Sequence, residues 1–420
     1  MNSMLSICQS ARAASQMLAS LKTEQKNAAL QQLSRWLIAH QNELLEANQQ
    51  DLALARQQGL AAPLLDRLTL TPARMVSMAG DVLNIADQPD PVGEVFEQRT
   101  LPNGLRVYKQ RVPIGVLAVI YESRPNVTID AACLAFKSGN AVILRGGSET
   151  LKTNAALVAG IHAALASAAI PLEAVQFMDD PAHERVQELF TMYEYIDLLI
   201  PRGGAELHRY CREHSRIPVI TGGMGICHLF VDASADQNRA LQIIRNAKLQ
   251  QPSVCNALDT VLVHQDIARD FIPRLIDSLS ANGVSFRVDT ATLQLIGMHP
   301  TRQVHTAKAQ DFDTEWLSLV LGIRAVNGID EAIRHIRLHS TAHSDGILTA
   351  EEDQARKFIQ AVDSAAVYVN ASTRFTDGGQ LGLGAEMAVS TQRIHARGPM
   401  ALRELTIYKW VIRGDYHIRS

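Results

Sequence analysis

One thiol in this sequence stands where a side chain could act on a ligand. Cys255 lies in the stretch QQPSVCNA at 250–257, after a helical pattern and before an apolar, strand-like run at 260–264. Pro252 cannot continue a helix, because its ring is bulky and it lacks an N–H, so Cys255 is predicted to lie in a sharp connection. A thiol there could be a nucleophile on a loop braced by a rigid scaffold. The local sequence alone favours a buried cysteine that acts as a small hydrophobe.

The cysteines together do not form a metal-binding or redox motif. There are five of them, odd in number and widely spread, and no pair has the spacing of a zinc site. We therefore predict no bound metal and a reduced, cytoplasmic compartment. The first residues lack a basic segment followed by a long apolar core, and no apolar run could span a bilayer, so neither secretion nor a membrane location is expected.

Length and charge limit the class of protein. The 420 residues suggest two or three domains, and a hydrophobic content of 47% can fill large cores. Lys and Arg number 40, against 43 Asp and Glu. This balance argues against nucleic acid as a partner, since nucleic acid would favour a basic face.

The elements that must position Cys255 follow a regular alternation. Residues 3–58 and 64–90 have apolar positions at helical spacing, and Asn103-Gly104 predicts a hairpin with strands at 97–101 and 105–112. Strands and helices alternate from 114 to 220 and again from 229 to 380, which is typical of two doubly wound α/β domains. The loops at 121–126, 145–149 and 201–204 follow strands and should share one sheet edge, where ligands bind. A last strand at 405–412 is expected to pair with the hairpin or with another subunit.

Several separate stretches carry further candidate residues. They are YESRPNVT at 121–128, SGNAVILR at 138–145, EWL at 315–317, and the segment 326–347, which contains AIRHI and HSTAHSD. Together with Cys255, they resemble the aldehyde dehydrogenase superfamily over essentially the whole chain. The segment 326–347 resembles the signature of one of its families, the γ-glutamyl phosphate reductases.

This resemblance implies an arrangement of domains. It assigns residues 1–99 and 114–227 to an NADP-binding domain and 228–400 to a catalytic domain that carries Cys255. Residues 100–113 and 401–420 would form a β-hairpin oligomerisation flap. A homo-oligomer joined through strands is therefore expected, because unpaired strand edges favour association.

The resemblance also implies roles for individual residues. Cys255 would be the nucleophile, and the Asn126 side chain would stabilise the oxyanion with the Cys255 N–H. The predicted cofactor-binding residues are Arg145, Gly146, Ser148, Gly203, Gly204 and Glu315. The predicted substrate-binding residues are Arg124, Arg374, His343 and Asp345. For Arg145 and Ser148, which suit a 2′-phosphate, the alternative is a solvated loop. His343 and Asp345 are also candidates for acid–base assistance, and their alternative role is a loop hydrogen bond. The alternative for Arg124 and Arg374 is a surface ion pair.

The reaction implied is the NADPH-dependent reduction of L-glutamyl 5-phosphate to L-glutamate 5-semialdehyde and phosphate through a Cys255 thioester. This is the second step of proline biosynthesis from glutamate, and an upstream glutamate 5-kinase is a possible partner. Hydrolytic superfamily members carry a Glu just before a Gly-Gly pair, but here ITGG at 220–223 has no carboxylate. The alternatives are an aldehyde dehydrogenase that forms a free acid and a non-catalytic relative.

Overall fold

The structure is a computed structural model, and it describes residues 3–122, 124–222 and 224–419, except for the side chain of Pro63. Ser123 and Gly223, which belong to two of the stretches named above, therefore lie outside the described residues. The chain forms two compact units. The first comprises Met1–Thr221, Gly382–Ala388 and Pro399–Ser420, and the second comprises Gly222–Leu381 and Val389–Gly398. The sequence had placed this boundary at 227, and it had assigned 382–388 to the catalytic domain.

The first unit begins with amphipathic helices. They are α1 (Met4–Leu18), α2 (Thr23–Ala39), α3 (Gln41–Gln57), α4 (Ala62–Leu68) and α5 (Pro72–Asp87). Thr71 caps α5, because its Oγ1 accepts a hydrogen bond from the Arg74 N–H, and Pro72 occupies the first turn. A hairpin follows, with strands β1 (Val95–Thr100) and β2 (Arg106–Pro113). Its turn contains Gly104 at φ +89°, a conformation that glycine adopts at low cost.

A four-stranded parallel sheet forms the core of the first unit. Its strands are β3 (Val116–Tyr121), β4 (Ala141–Arg145), β5 (Val175–Phe177) and β6 (Leu198–Arg202), in the order β5-β4-β3-β6. The helices between and after them are α6 (Pro125–Lys137), α7 (Leu151–Ser167), α8 (His183–Phe190) and α9 (Ala205–His214). Ile120 lies opposite both Arg145 and Pro201, so the strands end at the same edge. The predicted meeting of the three loops at one sheet edge is thus confirmed.

The second unit contains a seven-stranded parallel sheet in the order β10-β9-β11-β8-β7-β12-β13. Its strands are β7 (Cys227–Val231), β8 (Leu258–His264), β9 (Ser285–Val288), β10 (Val304–Thr306), β11 (Val320–Val326), β12 (Ser344–Leu348) and β13 (Ala366–Val369). Its helices are α10 (Gln237–Leu249), α11 (Gln265–Ser280), α12 (Thr290–Ile296), α13 (Ile329–His339) and α14 (Glu352–Ala361). The sequence missed β9, α12 and β10, which are too short to display a clear period.

Three more strands complete the chain. They are β14 (Ala388–Ser390), β15 (Gly398–Met400) and β16 (Thr406–Arg413). The last strand, β16, pairs antiparallel with β2, with Tyr408 opposite Arg111 and Trp410 opposite Lys109. We call the three-stranded sheet of β1, β2 and β16 the flap sheet. Of the two pairings expected for the last strand, the structure contains the one with the hairpin of its own chain.

Candidate active site

Cys255 differs from the other cysteines in its exposure. It lies in a turn between α10 and β8, as predicted, and it is half-buried, whereas the other four cysteines are buried. Burial raises the pKa of the Cys8 thiol to about 11 and that of Cys211 to about 12, and it raises the pKa of Cys133 and Cys227 well above the ordinary value. A thiol is nucleophilic as the thiolate, which burial in an apolar environment disfavours. Cys255 is therefore the best-placed nucleophile among the cysteines.

An arginine-bearing turn is bonded to the residue that follows Cys255. The carbonyl oxygen of Asn256 accepts a hydrogen bond from the Thr373 hydroxyl at 2.7 Å. Arg374 comes next in the chain, and its Nε donates to Oε1 of Gln250 at 2.9 Å. Burial lowers the pKa of the Arg374 guanidinium, and the charge of Asp377 opposes this effect. The structure thus places a cation on the turn that is bonded to the residue after Cys255.

The backbone before β7 lies against the Cys255 turn. Cys227 Sγ donates a hydrogen bond to the carbonyl oxygen of Cys255 at 3.2 Å. A Cβ on Gly225 would overlap the same carbonyl, so only glycine allows the two backbones to approach so closely. Glu315 Oε1 accepts a hydrogen bond from the Gly225 N–H at 2.9 Å. Burial raises the pKa of the Glu315 carboxyl to about 7, with this hydrogen bond opposing the rise and the charge of Asp259 adding to it.

Two predicted substrate-binding residues are fully buried and bonded to the protein itself. Asp345 Oδ1 accepts hydrogen bonds from the backbone N–H and from Nδ1 of His228, both at 3.0 Å. Its Oδ2 accepts from the Ser340 hydroxyl at 2.6 Å. His343 Nδ1 lies 2.8 Å from the Ser344 hydroxyl, and burial lowers the pKa of His343 to about 4, so the ring is neutral. For Asp345 this geometry favours the alternative of internal hydrogen bonds. For His343 the Nδ1 contact favours it too, but Nε2 is buried and has no hydrogen-bond partner among the described residues.

In the first unit, Asn126 lies in the first turn of α6 and is exposed. Its Nδ2 donates to Oδ2 of Asp130, one helical turn later, at 3.1 Å. Burial and the charge of Asp81 raise the pKa of Asp130 to about 7. Arg124 is the N-cap residue of the same helix and is half-buried. The predicted oxyanion donor is therefore held on a helix by a carboxyl group that sequence reasoning had not singled out.

The loop after β4 begins with a partly buried guanidinium and contains an exposed hydroxyl. Arg145 Nη2 donates to the Pro181 carbonyl at 3.0 Å, while its Nε is buried and has no hydrogen-bond partner among the described residues. Burial lowers the pKa of Arg145, and the charge of Glu149 opposes this. Ser148 is exposed, at the start of a short 3₁₀ helix. Buried donors usually have a hydrogen-bond partner, so the Nε of Arg145 is a candidate to bind an anion.

A carboxylate holds the loop after β6. Gly204 is the N-cap residue of α9, and its N–H donates to Oε2 of Glu122 at 3.1 Å. A Cβ on Gly203 would lie 2.5 Å from the carboxyl carbon of Glu122. A negative charge is favourable at a helix N-terminus, so Glu122 stabilises this loop. Gly146 is also enclosed, because a Cβ there would overlap the Asn154 side chain.

Comparison with known proteins decides the family. Residues 2–294 match the model described as "Aldehyde dehydrogenase family". The chain belongs to the aldehyde dehydrogenase family. It is 52% identical to the γ-glutamyl phosphate reductase of Roseiflexus castenholzii over 414 residues, and 53% identical to that of an Escherichia coli strain over 410 residues. Both matches cover 98% of each chain. The structure is also similar to a crystal structure of γ-glutamyl phosphate reductase from Thermotoga maritima. The two chains are 44% identical, the alignment covers 100% of each, and the TM-score is 0.96.

The expected family and fold are thereby confirmed. As a member of this family, the protein is an oxidoreductase that acts on a small molecule and uses a nicotinamide cofactor. Within the described residues, no group of three or more His, Cys, Asp or Glu side chains could hold a metal ion. The helices of the same residues include none that is long and apolar enough to cross a membrane.

Sequence reasoning missed the residues that support the predicted ones. Asp130 is four positions after Asn126, a spacing that places both on one helix face and could have indicated the pair. No such signal exists for Glu122, which meets Gly204 across β3 and β6. Thr341 lies within the HSTAHSD stretch, and its contact with the backbone before β7 is likewise a product of the tertiary fold.

Proposed function

We propose that this protein reduces L-glutamyl 5-phosphate to L-glutamate 5-semialdehyde with NADPH, releasing phosphate, as the second step of proline biosynthesis from glutamate. The observation that carries this proposal is full-length similarity to γ-glutamyl phosphate reductases, at 52% and 53% identity, in a chain with a half-buried Cys255 turn. A thiol of this kind supports covalent catalysis on an acyl group.

Cys255 attacks the acyl carbon of the substrate in this proposal. The new C–S bond replaces the C–O bond to phosphate, and phosphate leaves with the bonding electron pair. NADPH, when bound, would supply the hydride that reduces the thioester. The resulting tetrahedral oxyanion expels the Cys255 thiolate and leaves the semialdehyde. The Asn126 amide and the Cys255 N–H donate hydrogen bonds to the oxyanion at both stages.

The proposed cofactor-binding residues follow from the loops of the first unit and from Glu315. Arg145 and Ser148 bind the 2′-phosphate of NADPH. The Nε of Arg145, which is buried and has no hydrogen-bond partner among the described residues, supports this assignment. Gly146, Gly203 and Gly204 allow the cofactor to approach the backbone closely. Glu315 accepts from a ribose hydroxyl through Oε2, since its Oε1 already accepts from Gly225.

Two arginines are proposed to bind the anionic groups of the substrate. Arg374 has the stronger support, because it lies on the turn that is bonded to Asn256, the residue after Cys255. Arg124 is proposed from its position two residues before Asn126. His343 and Asp345 remain predicted substrate-binding residues, although their internal hydrogen bonds support a structural role.

We further propose a cytoplasmic homo-oligomer that receives its substrate from an upstream glutamate 5-kinase. The exposed apolar side chains of β16 support oligomerisation, because an open strand edge with apolar residues favours association. Cysteines that are all thiols are compatible with a reducing compartment.

The reverse reaction tests the activity. Reduction of NADP by L-glutamate 5-semialdehyde should require phosphate and should produce an acyl phosphate. Formation of glutamate without phosphate would favour an ordinary aldehyde dehydrogenase, and no turnover under either condition would favour a non-catalytic relative.

The specificity constants for NADPH and NADH test the cofactor. NADPH should be preferred, and Arg145→Gln with Ser148→Ala should reduce that preference by about tenfold or more, since hydrogen bonds to a charged group contribute about 1.5–3 kcal/mol. An equal or reversed preference in the wild type would show that these residues do not bind a 2′-phosphate.

A further inference from the structure

One short segment of the second unit is held by side chains along its whole backbone. We call residues 225–228 the platform, because they lie at the start of β7 and beneath the Cys255 turn. Its four successive backbone N–H groups each donate to a side-chain oxygen, at 2.9, 2.9, 3.5 and 3.0 Å in chain order. The acceptors in the same order are Glu315 Oε1, Thr341 Oγ1, Asp259 Oδ2 and Asp345 Oδ1. These acceptors come from four separate places in the sequence. The tertiary fold therefore holds the platform through side-chain hydrogen bonds, in addition to the strand pairing of β7.

The platform touches the backbone of the proposed nucleophile at two points. Cys227 Sγ donates to the Cys255 carbonyl at 3.2 Å, and Gly225 packs so closely on that carbonyl that a Cβ would overlap it. Ile226 lies between these two residues, and its N–H donates to Thr341 Oγ1 at 2.9 Å. A shift of Ile226 would therefore move both contacts with the Cys255 carbonyl.

Two residues next to the acceptors have strained backbones. Leu317, two positions after Glu315, has φ +47°, and Ala342, directly after Thr341, has φ +59°. The left-handed region is costly for residues that carry a Cβ, and such strain persists only where the surrounding structure over-determines the conformation. Strain of this kind is concentrated at sites where geometry matters for function.

We propose that Thr341 is a positioning residue that fixes the Cys255 nucleophile through the platform. This inference rests on the proposed role of Cys255. Three of the four acceptors are carboxylates, and Asp345 and Asp259 also accept from groups outside the platform, the Ser340 hydroxyl and the Trp316 N–H. Thr341 is the neutral acceptor, so its hydroxyl can be removed without changing the charge near Cys255. The HSTAHSD stretch supplies both Thr341 and Asp345, so holding the platform is a physical role for this stretch.

The chain offers a conservative variant and a matched control. Thr341→Val keeps the shape of the side chain but removes the acceptor, and Thr341→Ser keeps the acceptor. Thr349 lies at the other end of β12, and its hydroxyl also accepts a backbone N–H, that of Glu351 at 3.0 Å. Thr349→Val therefore removes a backbone acceptor of the same unit, away from the platform. It also removes the bonds of this hydroxyl to Asp232 and Ser234, so it is at least as severe a change as Thr341→Val.

Steady-state kinetics and alkylation of Cys255 by iodoacetamide, followed by mass spectrometry across pH, give the readouts. We expect Thr341→Val to lower kcat by about 10- to 100-fold, because small displacements of a reacting group cost on the order of 10²-fold. KM should change by less than about threefold, and the pH profile of alkylation should shift. Thr341→Ser should restore both readouts, and Thr349→Val should lower only the thermal midpoint. If Thr341→Val does not fold, Thr341→Ala removes the same hydroxyl and should give the same loss.

Two outcomes would overturn the proposal. One is a Thr341→Val enzyme with wild-type kcat and wild-type alkylation. The other is an equal loss of kcat in Thr341→Val and Thr349→Val, which would indicate general destabilisation. Failure of the proposed role of Cys255 is visible separately, since complete alkylation of Cys255 would then leave the wild-type enzyme active.

Discussion

At the scale of single residues, the half-buried Cys255 leads to a direct test of covalent catalysis. Cys255→Ser should lower turnover by more than about 10³-fold, because a hydroxyl is a far weaker nucleophile than a thiolate near neutral pH. The far-ultraviolet circular dichroism spectrum should not change. Cys8→Ala, at a buried cysteine outside the proposed site, serves as the control and should remain active. A Cys255→Ser enzyme with most of its activity would remove this thiol from the mechanism.

Glu315 should make stability depend on pH near neutrality. Its pKa is raised by burial from 4.5 to about 7 in the folded protein. A raised folded-state pKa contributes stability that is fully present below the unfolded pKa and is lost as pH rises through the folded pKa. The wild type should therefore lose stability relative to Glu315→Gln between about pH 4.5 and pH 7, by less than about 1.4 kcal/mol per pKa unit, since Glu315 is partly exposed.

Thermal unfolding of the two proteins at pH 5 and at pH 8 measures this effect. Glutamine keeps an oxygen that can accept from the Gly225 N–H, so the comparison isolates the charge. Parallel midpoints for the two proteins at both pH values would mean that Glu315 titrates at its ordinary pKa.

At the scale of elements, Asp51 on α3 holds the N-terminus of α7, the helix that follows the proposed 2′-phosphate loop. This buried carboxylate accepts from the Thr153 N–H at 2.8 Å and from the Thr153 hydroxyl at 2.6 Å. Asp51→Ala leaves both donors without their partner and should lower the free energy of unfolding by about 2–3 kcal/mol. Urea unfolding measures the loss.

A surface pair provides the control for this prediction. Asp66 lies 3.1 Å from Arg74 at an exposed position, so Asp66→Ala should cost less than about 1 kcal/mol. Similar losses for the two variants would mean that Asp51 does not hold α7 through buried hydrogen bonds.

At the scale of the whole molecule, the flap sheet leads us to expect association. β1 and β16 are its outer strands, and β16 exposes Ile407, Tyr408, Trp410 and Ile412. Ile412 is 63% exposed, so Ile412→Glu should place a charge on the edge with little effect on the folded chain. Sedimentation should show a homo-oligomer for the wild type and a smaller species for Ile412→Glu.

Deletion of 405–420 is a harsher test of the same idea. It removes β16 and exposes β2, so monomers or aggregates are expected. A wild-type protein that sediments as a clean monomer at micromolar concentration would rule out association through the flap sheet.

The sequence by itself determined the features that depend on local pattern. Apolar runs such as 116–120, the Asn103-Gly104 turn and Pro252 predicted strands, a hairpin and a helix end, because each depends on neighbouring residues. The same patterns indicated two doubly wound α/β domains and one shared loop edge. Motif resemblance then indicated the family and Cys255.

Only the tertiary structure decided which groups hold these features in place. The bonds of Thr341 to Ile226, of Glu315 to Gly225 and of Asp345 to His228 join residues that are about 90 to 117 positions apart. The exposure of side chains also could not be predicted from the sequence. Cys255 and Cys227 have the same side chain, but only Cys227 is buried. Periodicity reports the face of an element, whereas burial and long-range hydrogen bonds depend on what packs against that face.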